Sequence, residues 1–278
     1  MTLETDTSRE ITTASGIRIH YHDHGKGEPL VLIHGGGPGA YGWSNYSRNI
    51  EHFARTHRTI TVDMPGYGRS DKKAADASIY EFLSDAMLGL LDKLGIAKAS
   101  FIGNSLGGGT SLKLALRHPD RVDRLILMGA GGGLPVFSTV SEGIRHIAGY
   151  YMGDGPSFAK LKAFVQYMVH DPSAVTDAMI EARYQVSIDP QTIANPPLKS
   201  GGLHPGDQIW RDRLDLLTHK TLLVWGREDR TVTLDNAFVY LRAIPKAQLH
   251  VFPQCGHWAQ WEKADEFNAL VSAFLASA

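Results

Sequence analysis

The sequence predicts an α/β fold: a mostly parallel central sheet flanked by helices, with a helical segment inserted late in the chain. Two observations carry this. Short apolar runs of strand length alternate with amphipathic stretches up to Met128 and again from Thr221 onward, the pattern of strands joined by crossover helices. Between these regions, from Gly131 to about Asp207, strand signals vanish and only helical stretches remain. The expected organisation is a core built from residues 1–132 and 208–278, interrupted by a helical lid over 133–207.

Met1 to Glu10 is polar and partly acidic, with no apolar signal segment. Ile17 to Tyr21 alternates, and His24-Gly25-Lys26-Gly27 turns the chain into the apolar run Leu30 to Ile33, so the fold is expected to open with an antiparallel hairpin. His20, His22 and His24 would share one strand face. With no H-E-x-x-H and no paired cysteines, a solvated hairpin face is the better reading than a metal site. Thr59 to Val62 is the next strand and Asp63 follows it. Ser78-Ile79-Tyr80-Glu81 reads as a capping box before the run Phe82 to Leu94, which Gly95 closes.

Ser100 to Ile102 is a short strand, Leu106 to Arg117 a helix that stops before Pro119, and Arg124 to Met128 another strand. Within the insertion, Ser157 to Val169 and Val175 to Val186 are helical. Phe158, Phe164, Tyr167, Met168 and Met179 fall at helical spacings there, most of them packing lid on body and some suited to an apolar pocket. Thr221 to Val224 and Gln248 to Phe252 complete the strands.

Composition narrows the function classes. The 278 residues, 43% hydrophobic and 21% charged, suit a soluble globular protein with one large core. Twenty-eight basic against 29 acidic residues leave no polybasic face for nucleic acid or an anionic membrane. No apolar run reaches membrane-spanning length. The single Cys255 excludes an intrachain disulfide framework and suits a reducing, cytoplasmic setting.

The chemistry is concentrated after strand ends. Gly103-Asn104-Ser105-Leu106-Gly107 is G-x-S-x-G at a strand-to-helix junction, which places Ser105 on a sharp turn as a nucleophile. A serine hydroxyl needs a base, and the base an orienting acid. In chain order the candidates are Asp229, in Trp225-Gly226-Arg227-Glu228-Asp229, and His257, in Cys255-Gly256-His257-Trp258. Glu228 is the rival acid; Asp229 is preferred because it lies deeper in the loop. Cys255 has no nucleophile's role beside a complete serine set. For the oxyanion, the N–H groups of Gly36 and Leu106 are the candidate donors, the first from the loop Gly35-Gly36-Gly37-Pro38-Gly39. That loop also satisfies Gly35-x-Gly37-x-x-Ala40, the alanine form of a dinucleotide fingerprint. Pro38 inside it and the strands before it count against that reading.

Together Gly35-Gly36-Gly37-Pro38-Gly39-Ala40, Gly42-Trp43-Ser44-Asn45-Tyr46, Asp63-Met64-Pro65-Gly66-Tyr67-Gly68, Gly103-Asn104-Ser105 and Cys255-Gly256-His257-Trp258-Ala259-Gln260-Trp261-Glu262 resemble the meta-cleavage product hydrolases. These are carbon–carbon bond hydrolases of the α/β-hydrolase superfamily in bacterial aromatic-compound degradation. The likeness covers the catalytic body and extends to Arg183 in the lid. It is nearest to the branch acting on 2-hydroxy-6-oxo-6-phenylhexa-2,4-dienoate, with Leu106 where that branch has Met. The resemblance implies that Arg183 binds the substrate carboxylate, Asn45 and Asn104 hydrogen-bond the 2-oxo group, and Trp258 packs on the conjugated chain. It also implies a small dienoate substrate, a homo-oligomer, and no metal or organic cofactor. Two other readings stay open: a plain carboxylesterase, and a small-molecule receptor on a hydrolase scaffold.

Overall fold

The computed structural model describes residues 3–134, 141–198 and 204–277. Eight strands form one sheet: β1 (Ser8–Thr12), β2 (Arg18–His24), β3 (Glu28–Ile33), β4 (His57–Val62), β5 (Ala99–Asn104), β6 (Val122–Met128), β7 (Lys220–Gly226) and β8 (Ala247–Phe252). Their order is β1-β2-β4-β3-β5-β6-β7-β8. Neighbours from β4 to β8 pair in parallel, while β2 is antiparallel to both β1 and β4. Only β2 therefore runs against the rest.

Strand alternation fills two cores. Val31, Ile33, Phe101, Leu125, Leu127, Leu223 and Trp225 face one side of the sheet, with Leu83, Leu90 and Leu112 from the helices Ile79–Lys93 and Leu106–Arg117. Leu30, Leu32, Ile102, Ile126, Leu222 and Val224 face the other, with Phe267 and Val271 from the helix Ala264–Ala276. Burial on both faces explains why these strands read as continuous apolar runs. Each such side chain contributes about 1.5–3 kcal/mol by leaving water.

Two expectations need correction. The turn His24–Gly27 joins β2 to β3, but these strands do not pair, because β4 lies between them. The antiparallel partner of β2 is instead β1, a polar edge strand. That strand, with the short helix Leu3–Thr7, covers the histidine face expected to be solvated. His20 and His22 are both buried, His20 bonded to Asp63 (2.9 Å) and Ser8 (2.8 Å), His22 to Thr7 (3.1 Å).

Between β6 and β7 lie the helices Glu142–Gly149, Phe158–Met168, Asp177–Ser187 and Pro190–Ala194. This is the inserted helical lid. It has its own apolar cluster of Tyr150, Leu161, Phe164, Val165, Met168 and Ile180, which Trp258 and Trp261 join from the body. Residues 135–140 and 199–203 of the expected 133–207 segment lie outside the described residues. Among the described residues, no helix is long and apolar enough to cross a membrane.

Candidate active site

The connections reverse direction at β3, which has β4 on one side and β5 on the other. Ligands of open α/β sheets bind at the carboxyl ends of strands around such a switch point. The loops after β3, β5, β7 and β8 carry Gly36, Ser105, Asp229 and His257.

Ser105 joins β5 to its helix with φ 52° and ψ −113°; among non-glycine described residues only Gln254 shares its positive φ. The turn is held by the Ser105 N–H, which donates to Met128 O (2.8 Å), and by Ser105 O, which accepts from the Gly131 N–H (2.9 Å). Its tightness explains the two glycines of the motif. A Cβ on Gly103 would stand 2.4 Å from Gly107 O, and one on Gly107 2.2 Å from Ile33 O. Leu106 opens the helix, so its N–H lacks an intrahelical acceptor and lies at the positive end of the helix dipole.

Asp229 and His257 are both buried. Asp229 Oδ2 is 2.7 Å from His257 Nδ1, while its Oδ1 accepts from the N–H groups of Thr231 (2.8 Å) and Val232 (2.9 Å). The carboxylate is thus fixed in rotation and holds the Nδ1 proton, leaving Nε2 as the basic nitrogen. Glu228 turns elsewhere: it accepts from the Cys255 N–H (3.0 Å) and pairs with Arg227 (2.7 Å).

The glycine loop after β3 is tied down through its carbonyls. His34 Nδ1 donates to Gly35 O (2.7 Å), and His34 Nε2 accepts from the Met64 N–H (3.0 Å). The Tyr67 hydroxyl donates to Gly36 O (3.1 Å). These two bonds fix the neutral Nδ1–H tautomer of His34, and burial pushes its pKa down to about 4.

Ser105, His257, Gly36, Asn45, Asn104, Arg183 and Trp258 all line one small cavity of about 10 Å³, closed by Ile147, Phe164 and Met168 of the lid. That is room for about one water. Arg183 reaches down from the lid helix Asp177–Ser187, its Nη2 donating to Pro38 O (2.8 Å) and its guanidinium 5.0 Å over the Trp258 ring. Three polar atoms on these lining residues are buried without a partner: Arg183 Nη1, Asn45 Oδ1 and Asn104 Oδ1. Buried polar atoms are ordinarily satisfied, and these three have bonding capacity left for a polar group brought into the cavity. A larger cavity, about 340 Å³, lies at the amino ends of β6 and β7 between Lys98, Asp123, Arg124 and Lys220, remote from Ser105.

Sequence reasoning missed the bonds of His34 and Tyr67, for which only the loop motif was a signal. It also missed Ile147 on the helix Glu142–Gly149, where the spacing of Ile144 and Ile147 was available.

An α/β-hydrolase-fold family matches residues 28–264. The 2-hydroxy-6-oxo-6-phenylhexa-2,4-dienoate hydrolase of Burkholderia cepacia is 41% identical over 282 aligned positions, covering 99% of this chain and 98% of its own. The chain belongs to the meta-cleavage product hydrolases. A 2-hydroxy-6-oxononadienedioate/2-hydroxy-6-oxononatrienedioate hydrolase of Comamonas testosteroni is equally similar, 41% identical over the same coverage. Among solved structures, the meta-cleavage product hydrolase of Pseudomonas fluorescens IP01 superposes with a TM-score of 0.84 at 35% identity, covering 98% of each chain. As a member of this family the protein is a carbon–carbon bond hydrolase of aromatic-compound catabolism.

Proposed function

We propose that the protein hydrolyses the C5–C6 bond of a 2-hydroxy-6-oxo-6-arylhexa-2,4-dienoate, giving 2-hydroxypenta-2,4-dienoate and an aromatic carboxylic acid. The observation that carries this reading is the buried, unpaired Nη1 of Arg183 in the cavity that holds Ser105 and His257. An ester needs no cation there, whereas a dienoate carries a carboxylate that a guanidinium fork binds well. Among the described residues lining the cavity Arg183 is the one Lys or Arg side chain, and Ile147, Phe164 and Met168 supply the lid side. One carboxylate and one apolar C6 substituent match that lining better than a dicarboxylate does.

In this reading Arg183 takes the C1 carboxylate and Trp258 packs on the conjugated chain. Asn45 and Asn104 face the 2-oxygen; the Nδ2 donors that a 2-oxo group would need are engaged within the protein, so it is a free Oδ1 that accepts from the 2-hydroxyl while the substrate is still the dienol. His257 assists ketonisation, which delivers a proton to C5, and activates Ser105. Ser105 Oγ attacks C6, with the oxyanion held by the N–H groups of Gly36 and Leu106. The C5–C6 pair leaves as the dienol, and water releases the acid from the acyl-enzyme. Direct attack by water through a gem-diol uses the same groups. Because the cavity is nearly closed, the described helices between Glu142 and Ala194 act as a lid that opens to admit substrate.

The buried free thiol of Cys255 is in keeping with a cytoplasmic enzyme, and the family likeness with a homo-oligomer, dimer or tetramer, which sedimentation would test. For the activity, the experiment is the decay of the visible absorbance of the 6-phenyl dienoate with the protein and with Ser105→Ala, beside a p-nitrophenyl ester. Ser105-dependent bleaching with weak ester turnover is expected. Brisk ester cleavage without bleaching would make the protein a carboxylesterase.

A further inference from the structure

We infer that Glu262 is a positioning residue for His257, acting through a strip that welds the lid to the histidine loop. Glu262 does not line the cavity. Its carboxylate accepts from the N–H groups of Gly256 (3.0 Å) and Trp258 (3.1 Å), the two residues flanking His257, and from the N–H of His170 in the lid (2.7 Å). The lid residues next to His170 are gripped in the same way. Met168 O accepts from the His257 N–H (2.8 Å), and Val169 O accepts from Arg230 Nη2 (2.9 Å). Arg230 also lies 4.5 Å over the ring of Tyr167.

Consecutive backbone groups at the end of the helix Phe158–Met168 are therefore bonded by residues of the loops that carry Asp229 and His257. The contact is close: a Cβ on Gly256 would stand 2.4 Å from Met168 O and 2.8 Å from His170 N. A neutral amide at position 262 cannot reproduce this clasp, because its nitrogen would face an N–H donor instead of accepting from it. Phe164 and Met168, on the same turns, line the cavity. This end of the lid is thus a fixed seat that sets the imidazole.

The inference rests on the proposed serine chemistry, though not on which bond is cut. The test is Glu262→Gln assayed on both the 6-phenyl dienoate and p-nitrophenyl acetate. Arg58→Met, which breaks the Arg58–Asp23 pair at the far edge of the sheet, is the stability control. A fall in kcat of about 30-fold on both substrates, with each KM within about twofold of wild type, is expected because both reactions need the same imidazole. An unchanged kcat with a lower melting temperature, or a loss confined to KM, would overturn it. If Glu262→Gln does not fold, Arg230→Met loosens the same strip and is read the same way; a folded Arg230→Met with wild-type kcat also overturns it. Failure of the carbon–carbon reading is separable, because wild type would then act on the ester alone and the ester arm would still report on Glu262.

Discussion

Arg183 and Trp258 form a stacked pair, the guanidinium 5.0 Å from the indole centre, at the junction of lid and body. Burial pushes the Arg183 pKa down to about 10, and among the described residues no carboxylate pairs with it. A bound carboxylate would relieve that unpaired charge. Arg183→Ala is therefore expected to lower kcat/KM for the dienoate by about 10²-fold or more, the loss typical of a truncated buried charge pair. Turnover of a neutral ester should change less than about threefold, since no charge pair of this kind is broken. Equal losses on both substrates would remove Arg183 from carboxylate binding.

The two acids after β7 make different bonds, and their variants should separate cleanly. Asp229→Asn should lower turnover by about 10⁴, the loss seen when an orienting acid leaves histidine in the wrong tautomer. Glu228→Gln should keep turnover within about threefold, because its partners are Arg227 and the Cys255 N–H rather than the imidazole. Steady-state kinetics on the ester suffice, and a loss below about tenfold for Asp229→Asn would transfer the role.

Two glycines beside Ser105 should fail in different ways. A Cβ on Gly36 would meet Leu106 Cδ2 at 2.9 Å, the Tyr67 hydroxyl at 3.1 Å and Leu106 Cβ at 3.2 Å, side-chain atoms rather than backbone. Gly36→Ala should fold, yet lose about 10²-fold in kcat as its N–H is displaced from the oxyanion. Gly107→Ala instead drives a Cβ against backbone, 2.2 Å from Ile33 O, and should lower the melting temperature steeply. Circular dichroism melts alongside kinetics would show whether the two effects part in this way.

Stability should fall on mild acidification. His34 is neutral when folded, with its pKa pushed down to about 4 by burial; His22 is likewise at about 4, burial again the main cause. The unfolded chain takes up these protons near pH 6.5 and the folded chain only near 4, so unfolded binds more across that window. The contribution of these two histidines is therefore full above about 6.5, is lost as pH falls toward 4, and does not change further below; His34 alone accounts for about 3 kcal/mol. Urea melts across this range would show the slope, and His34→Gln should make it shallower. A flat profile would mean that the fold does not lower the pKa of His34 or His22.

What could be read from the residues followed local rules. The helix Leu106–Arg117 has the bounds its sequence announces, between a strand end and Pro119. Apolar runs located the six strands from β3 to β8. Pairing was harder. Turn residues show that the chain reverses at His24–Gly27, but whether the two strands meet depends on where β4 enters, a long-range fact. The strand Ser8–Thr12 carries only Ile11 as an apolar residue, so no alternation marks it, and the burial of His20 and His22 beneath it was equally hidden. At the site, spacing alone pointed to Ser105, Asp229 and His257. Asn45, Asn104, Arg183 and Trp258 came from resemblance, because each is an ordinary residue until the fold gathers them. Glu262 closes one of the motifs that carry the resemblance, but its clasp could not be read there, since its partners are backbone N–H groups drawn from two separate segments.

The positive-φ turn at Ser105 sets durability against work. Glycine adopts φ 52° freely, whereas a side chain there costs about 1–3 kcal/mol. A population of variants sorted for heat resistance alone would drift toward glycine at position 105 and discard the hydroxyl. Such a selection would enrich longer-lived molecules that can no longer turn over substrate, so any programme to harden this protein has to screen for activity at every round.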